Sequence, residues 1–110
     1  MESKNKVFSY LGFAIKSGNL KIGINAIYTL KTRVYLLILC KSGAANAVRE
    51  GEKLKSRFDC PMLITKTFTL EELTGRENCK LAAITDENLA SAIIANSEQD
   101  FTEYSGGHKV

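Results

Sequence analysis

The segment Cys40-Lys41-Ser42-Gly43 holds the side chains best suited to covalent chemistry in this sequence. It follows an apolar run that is typical of a buried strand and precedes a helical pattern. A thiol at the carboxyl end of a central strand lies where α/β proteins bind ligands, and a helix amino terminus lowers the pKa of a nearby thiol. Covalent chemistry at Cys40 is therefore one candidate function.

The residues around Cys40 nevertheless favour a structural role. The segment resembles the phosphocysteine loop of sugar phosphotransferase IIB components, but those loops carry several Ser or Thr residues after the glycine, where this chain has Ala44 and Ala45. A cysteine-phosphatase loop would need an arginine where Asn46 stands. Because free cysteine is among the most often buried residues, we predict that Cys40 belongs to the core and keep a Cys40-dependent phosphocarrier as an alternative.

No other set of residues indicates catalysis. The one histidine, His108, lies in a Gly-rich end of the chain, and the three cysteines form no Cys-x-x-Cys pair. No nucleophile, base and orienting group can be assembled, and the glycines do not form a nucleotide-binding loop. We therefore expect no enzyme activity, no metal, no cofactor and no small-molecule substrate.

Basic residues are concentrated in the first part of the chain. Residues 1–41 carry seven Lys or Arg residues and one acidic residue, whereas residues 42–110 carry eight basic and eleven acidic residues. Such an asymmetry points to a polyanionic partner. A solvated basic helix face would give the same composition, so the asymmetry becomes informative only if the fold brings these residues together.

The segment from Lys16 to Ala26 surrounds a predicted helix start at Gly23 with basic and amide side chains. N–H groups in a first helical turn lack intrahelical acceptors and carry partial positive charge, which suits phosphates and base edges. Glycine allows close backbone approach, and the Asn25 amide offers both a donor and an acceptor. We predict RNA binding at this helix start. The candidate residues are Lys16, Ser17, Asn19, Lys21, Gly23, Ile24, Asn25, Lys31, Arg33, Lys41, Ser42, Arg76 and Asn78.

Hydrophobic periodicity predicts the elements that position these residues. Helices are expected at about residues 5–17, 23–31, 44–58, 69–75 and 86–96, and strands at 20–22, 34–40, 60–65 and 80–85. Thr69 and Glu72 fit a capping box, with Gly75 ending that helix. Helices alternating with strands predict a three-layer α/β/α sandwich with four strands. We expect one domain over residues 1–96 and a flexible acidic tail over residues 97–110.

Several short segments of the sequence resemble those of the ribosomal-protein family of kink-turn RNA binders of the L-seven-Ae and L-thirty-e type, especially its small bacterial members. They are Leu11-Gly12-Phe13-Ala14-Ile15-Lys16-Ser17-Gly18-Asn19-Leu20, Gly23, Tyr35-Leu36-Leu37-Ile38-Leu39-Cys40, Glu72-Leu73 and Ala82-Ala83-Ile84-Thr85-Asp86-Glu87. The resemblance implies a three-layer α/β/α fold with a mixed four-stranded sheet, no catalysis, and recognition of sharply bent RNA. The implied partner is rRNA or another structured RNA, with the ribosome as a further partner.

The chain departs from that family at the second helix, which in the family opens with Gly-x-Asn-Glu and has Lys three places after the Glu. Gly23 and Asn25 match, but Ala26 and Thr29 replace the Glu and the Lys. These replacements remove a base-edge contact and a phosphate contact, so a broader RNA preference is expected. A protein-interaction module that has lost strict kink-turn recognition therefore stays open as a second function.

No segment of the sequence is expected to cross a membrane. The longest apolar run, residues 34–40, is far shorter than the roughly 20 residues that a spanning helix needs. No long apolar region follows the first residues either, so a cytoplasmic location is expected.

Overall fold

The computed structural model describes residues 4–43, 45–66, 68–77, 79–97 and 101–104. Within these residues helices and strands alternate along the chain. The helices are α1 (Lys4–Ser17), α2 (Ile24–Tyr28), α3 (Ala45–Phe58), α4 (Leu70–Thr74) and α5 (Glu87–Ala95). The strands are β1 (Leu20–Ile22), β2 (Leu36–Leu39), β3 (Met62–Thr65), β4 (Leu81–Ile84) and β5 (Phe101–Glu103).

The strands form one mixed sheet in the order β1-β4-β2-β3-β5. Strand β2 is parallel to β3, because α3 connects them as a crossover, and β4 is antiparallel to both β1 and β2. Strand β5 pairs antiparallel with the outer side of β3. The central strand β2 is buried along its whole length, as its continuous apolar sequence predicts.

Helices cover both faces of this sheet. One core cluster joins α1, α4 and α5 to the sheet through buried residues such as Leu11, Leu70 and Ile93. The second cluster joins α2 and α3 to the opposite face through Ile27 and Leu54. The predicted three-layer α/β/α arrangement is therefore confirmed.

The local start and stop signals behave as predicted around α4. The Thr69 hydroxyl accepts a hydrogen bond from the Glu72 N–H, and the Glu72 carboxylate accepts one from the Thr69 N–H. Gly75 ends the helix in the left-handed conformation at φ 74°. Both signals act within a few residues, which is why they can be predicted from sequence.

The glycine inside α3 has a packing reason. A Cβ atom at Gly51 would lie 3.1 Å from the Met62 sulfur in β3, closer than ordinary van der Waals contact. Gly51 therefore lets α3 approach the sheet at the point where Met62 fills the core.

Two predictions about the elements are wrong. The sheet has five strands rather than four, because residues 101–103, predicted to belong to a flexible tail, pair with β3. Phe101 is only 4% exposed and adds to the core. The remaining residues of the predicted tail beyond Tyr104, and residues 98–100, lie outside the described part of the chain. Helix α2 is also shorter than the predicted residues 23–31, since it ends at Tyr28.

In the part of the chain that the structure describes, no helix is both long enough and apolar enough to span a bilayer. Nor do the described residues contain three or more His, Cys, Asp or Glu side chains grouped as a metal site would require.

Candidate nucleic-acid interface

The sheet register defines two edges at which the predicted binding residues lie. At one edge β1, β2 and β3 end and β4 begins; we call it the carboxyl edge. The Gly23 N–H donates to the Leu81 carbonyl at 3.0 Å, and the Cys40 N–H donates to the Lys80 carbonyl at 2.8 Å. These bonds bring the start of α2, the β2–α3 connection and the start of β4 together.

The opposite end of the sheet, which we call the amino edge, is where β1, β2 and β3 begin. Here the Thr85 N–H donates to the Asn19 carbonyl and the Tyr35 N–H donates to the Ile84 carbonyl, both at 2.9 Å. A four-residue strand rises about 3.3 Å per residue, so the two edges are separated by about 13 Å.

Gly23 has the backbone conformation that the predicted site requires. Its φ of 102° and ψ of 140° lie in a region that L-residues rarely adopt, and a Cβ atom there would meet no atom within 4 Å. Its own N–H donates to the Leu81 carbonyl and is therefore not available to a ligand. The next three N–H groups, on Ile24, Asn25 and Ala26, have no protein acceptor among the described residues.

The side chains at the start of α2 are accessible. Asn25 is exposed, and its amide has no hydrogen-bond partner in the described chain, whereas Ile24 is half-buried against the α2–α3 core. Thr29, which replaces the family's lysine, donates its hydroxyl to the Ala26 carbonyl at 2.7 Å. The first turn of α2 therefore offers backbone N–H groups and one amide, while Thr29 serves to close the helix.

Lys41 and Ser42 follow β2 at the carboxyl edge, and both are exposed. The Ser42 hydroxyl accepts a hydrogen bond from the Lys80 ammonium at 2.9 Å and lies 3.1 Å from the Cys40 sulfur. Lys80 also forms an ion pair with Glu71 at 3.3 Å. Ser42 thus links the surface to a buried thiol, in addition to lying where a ligand could approach.

The Cys40 thiol lies in a pocket of hydrogen-bond donors. Burial acts to raise its pKa, but the Ser42 hydroxyl and the Leu70 N–H, at 3.1 Å each, stabilise the thiolate, and the pKa is lowered overall. Since Ser42 accepts from Lys80, its own proton is available to the sulfur. Cys40 is only 1% exposed, so the prediction of a core residue is confirmed, although its hydrogen bonds are those of a polar site.

Two further basic residues lie at or near the carboxyl edge. Lys66 follows β3, and its carbonyl accepts a hydrogen bond from the Lys41 ammonium at 3.2 Å. Arg76 is exposed just after α4, where its charge opposes the burial that raises the pKa of Cys79. Sequence reasoning missed Lys66 and Lys80; their positions directly after and directly before a strand could have marked them. The predicted Asn78 lies outside the described residues.

The remaining candidates do not lie beside Gly23. Lys16 lies in the last turn of α1 and Arg33 lies two residues before Tyr35, so both are at the amino edge. Lys31 lies with Arg33 in the α2–β2 connection. The prediction that their charges surround Gly23 is wrong, because β1 carries the chain across the sheet between Asn19 and Gly23. Lys21 is exposed in the middle of β1, between the two edges.

Asn19 and Ser17 have structural roles at the amino edge. The Asn19 amide nitrogen donates to the Ser17 hydroxyl at 2.9 Å, and its oxygen accepts from the Thr85 hydroxyl at 3.2 Å. The Ser17 hydroxyl donates to the Ala14 carbonyl at 3.3 Å. These bonds hold the α1–β1 turn against the end of β4 and leave the Asn19 amide little capacity for RNA.

The comparisons with known proteins establish the fold and no more. No family model matches the chain, and no curated protein matches it. A solved structure of a protein of unknown function from Bacillus halodurans C is similar to this chain, with 17% identity and a TM-score of 0.68. The match covers 86% of this chain and 98% of the other. At that identity it supports the α/β fold alone, and membership of the kink-turn family stays a prediction.

Proposed function

We propose that this protein is a non-catalytic, cytoplasmic RNA-binding protein that contacts structured RNA with the carboxyl edge of its sheet. The observation that carries the proposal is that three separate connections meet at this edge. They contribute the start of α2 with Asn25, the β2–α3 connection with Lys41, and Arg76 after α4. Because amide, backbone N–H and cationic groups share one edge, a folded RNA could contact all of them at once.

The groups at this edge suit different parts of an RNA. The Asn25 amide can donate to and accept from the edge of an unpaired base, and the N–H groups of Ile24 and Ala26 can bind a base or a phosphate oxygen. The absence of a side chain at Gly23 lets RNA approach the backbone closely. Lys41 and Arg76 supply charge for the phosphates.

The kink-turn resemblance suggests a bent RNA, such as a segment of rRNA, as the ligand. Thr29 bonds its own helix through the Ala26 carbonyl, so it does not replace the family's lysine as a phosphate contact. Ala26 likewise offers no carboxylate to a base. We therefore propose binding to bent RNA with a broader preference than the family shows.

Titration of the protein with a kink-turn RNA and with a straight duplex of equal length, at several salt concentrations, tests this proposal. We expect the bent RNA to bind more tightly, and Asn25→Ala to reduce that preference. Asn88→Ala, an exposed amide in the first turn of α5 on another helix, is the matched control and should change neither affinity. Absence of binding to either RNA at low salt would refute the proposal.

One observation favours a second function, a protein-interaction module. Phe13 on α1 is 61% exposed and Ile94 on α5 is 40% exposed, and α1 packs beside α5. Exposed large apolar side chains are found at protein contacts. If Phe13→Ser abolishes a stoichiometric complex isolated from RNase-treated lysate while Asn25→Ala does not, this second function is favoured.

A further inference from the structure

The amino edge carries a second group of cations, Lys31, Arg33, Lys55 and Arg57, which we call the amino-edge cluster. Lys31 and Arg33 lie in the α2–β2 connection, and Lys55 and Arg57 lie in the last turn of α3. Helix α2 packs against α3, and α3 ends where β3 begins, so the two segments share this end of the molecule.

Electrostatic and hydrogen-bond contacts support this placement. The Cys60 N–H donates to the Lys55 carbonyl at 3.3 Å. Burial raises the pKa of Cys60 to about 11, and the charges of Lys55 and Arg33 oppose that rise. The charge of Arg57 acts on Tyr28, at the end of α2, in the same direction. Lys55, Arg33 and Arg57 therefore lie around the surface between Tyr28 and Cys60, and Lys31 is placed near them only by its position in the α2–β2 connection.

The carboxylates of the described chain form no ion pair with the amino-edge cluster. Within the described residues no carboxylate lies within ion-pair distance, 4.0 Å, of any of its four members. Glu50 on the same helix is engaged by the Tyr28 hydroxyl at 2.6 Å and by Lys53 at 3.7 Å. Asp59 lies beside the cluster in the α3–β3 turn, and its charge raises the pKa of Cys60.

The chemistry of the cluster suits phosphates. The guanidinium carbon of Arg33 lies 5.6 Å from the centre of the Tyr35 ring, and that of Arg57 lies 5.8 Å from the centre of the Phe58 ring. Contact with a ring restrains a guanidinium group while its N–H donors stay available for a bidentate contact with phosphate. The two arginines are therefore restrained without being paired.

The surface between the two edges also favours one long polyanion. Residues 4–43, which include β1, α2 and the connection to β2, contain no acidic residue, and Lys21 lies between the two edges. An RNA that contacts both edges would meet no carboxylate from this segment. We propose that the amino-edge cluster binds the phosphate backbone of a second stretch of the same RNA. This inference rests on the proposed RNA binding at the carboxyl edge.

The salt dependence of RNA affinity tests this inference. Each phosphate contact contributes about 0.7 to 0.9 to the slope of log affinity against log salt concentration. We expect Arg33→Gln and Arg57→Gln each to reduce that slope by about this amount, and the double variant to reduce it by about twice as much. The preference for bent over straight RNA should not change, because phosphate contacts carry no shape or base information of their own at this edge.

Two further variants serve as controls. Lys6→Gln removes one exposed charge from α1, on the opposite face of the sheet, and should leave the slope unchanged. Arg33→Lys with Arg57→Lys keeps the charges and should retain the slope of the unmodified protein, which separates loss of charge from loss of folding. Thermal unfolding of each variant shows whether a substitution alters folding.

The possible outcomes are distinct. If the double variant binds RNA with the unmodified slope, the inference is overturned; a lowered melting temperature with that slope would mean that the two arginines contribute to folding alone. If poly-glutamate binds the protein with the same slope as RNA and loses it in the double variant, the cluster recognises acidic proteins and the RNA assignment is overturned. Absence of all RNA binding would refute the proposed function itself, whereas binding with an Asn25-dependent preference and an unchanged slope refutes this inference alone.

Discussion

Replacing Gly23 by Ala tests whether the backbone at the start of α2 determines both stability and binding. At φ 102° and ψ 140° an L-residue is strained, and the empty space around the new Cβ atom means that no steric clash adds to this strain. A residue held in such a sparsely populated region costs about 1 to 3 kcal/mol. We therefore expect the free energy of unfolding to fall by about that amount.

Gly12→Ala is the matched control. Gly12 lies inside α1, and a Cβ atom there would also meet nothing within 4 Å. Both substitutions reduce the entropy of the unfolded chain equally, so the difference between them reports the folded backbone. In the helix Ala is favoured over Gly by about 0.8 to 1.0 kcal/mol, so Gly12→Ala should stabilise the protein.

Urea unfolding followed by circular dichroism measures both changes in the free energy of unfolding. As a second readout, the melting temperature of a chain of this size should shift by about 3 to 5 °C for each kcal/mol. Gly23→Ala should also reduce the preference for bent RNA, because the strain would displace the first turn of α2. If Gly23→Ala proves as stable as Gly12→Ala, the conformation at Gly23 is not required and the reasoning fails.

Three further substitutions test the core and its thiols. Phe101→Ala should cost about 3 to 5 kcal/mol of unfolding free energy because Phe101 is buried, whereas Phe13→Ala, at an exposed position, should change stability little; equal effects in urea unfolding would contradict the packing of β5. Burial raises the pKa of the Cys60 thiol to about 11, so the stability that this neutral thiol contributes is present below its unfolded pKa near 9 and is lost as the pH rises through 11. The free energy of unfolding should therefore fall over this pH range, and Cys60→Ala should make the fall smaller; an unaltered pH profile of stability would refute this. Gly51→Ala should destabilise the protein, since overpacking against Met62 costs about 1 to 3 kcal/mol and exceeds the helix gain of about 1 kcal/mol; increased stability would show that Met62 yields.

The features predicted well from sequence are those determined by neighbouring residues. The α4 cap depends on Thr69, Glu72 and Gly75, which lie within seven residues of one another. The central strand β2 could be predicted because a continuous apolar run of that length suits a strand covered on both faces. The glycine in α3 is ambiguous from sequence, because its helix cost could mean either a close approach to the sheet or an imperfect helix, and the structure shows the close approach.

The features predicted poorly depend on contacts between distant parts of the chain. Strand β5 is held by pairing with β3, about forty residues earlier, and its short segment is surrounded by polar residues that hide the one buried side chain, Phe101. The split of the candidate site has a similar cause. Asn19 and Gly23 are four residues apart in sequence, but β1 places them at opposite ends of the sheet, which no local pattern reveals.

The split also assigns different tasks to the two edges within the proposed function. At the carboxyl edge Lys80 is engaged by Glu71 and Ser42, and the Lys41 ammonium donates to a backbone carbonyl, so much of the charge there is already used. What this edge offers most freely is the Asn25 amide and the N–H groups beside it, which suit recognition of bases and shape.

The amino edge has the opposite balance. Arg33 and Arg57 have no carboxylate within ion-pair distance in the described chain, whereas the Asn19 amide at this edge is occupied by Ser17 and Thr85. Affinity and selectivity should therefore be separable in this protein. Loss of Asn25 should reduce the preference for bent RNA at a constant salt slope, and loss of the arginines should reduce the slope at a constant preference, because the groups responsible belong to opposite edges of the sheet.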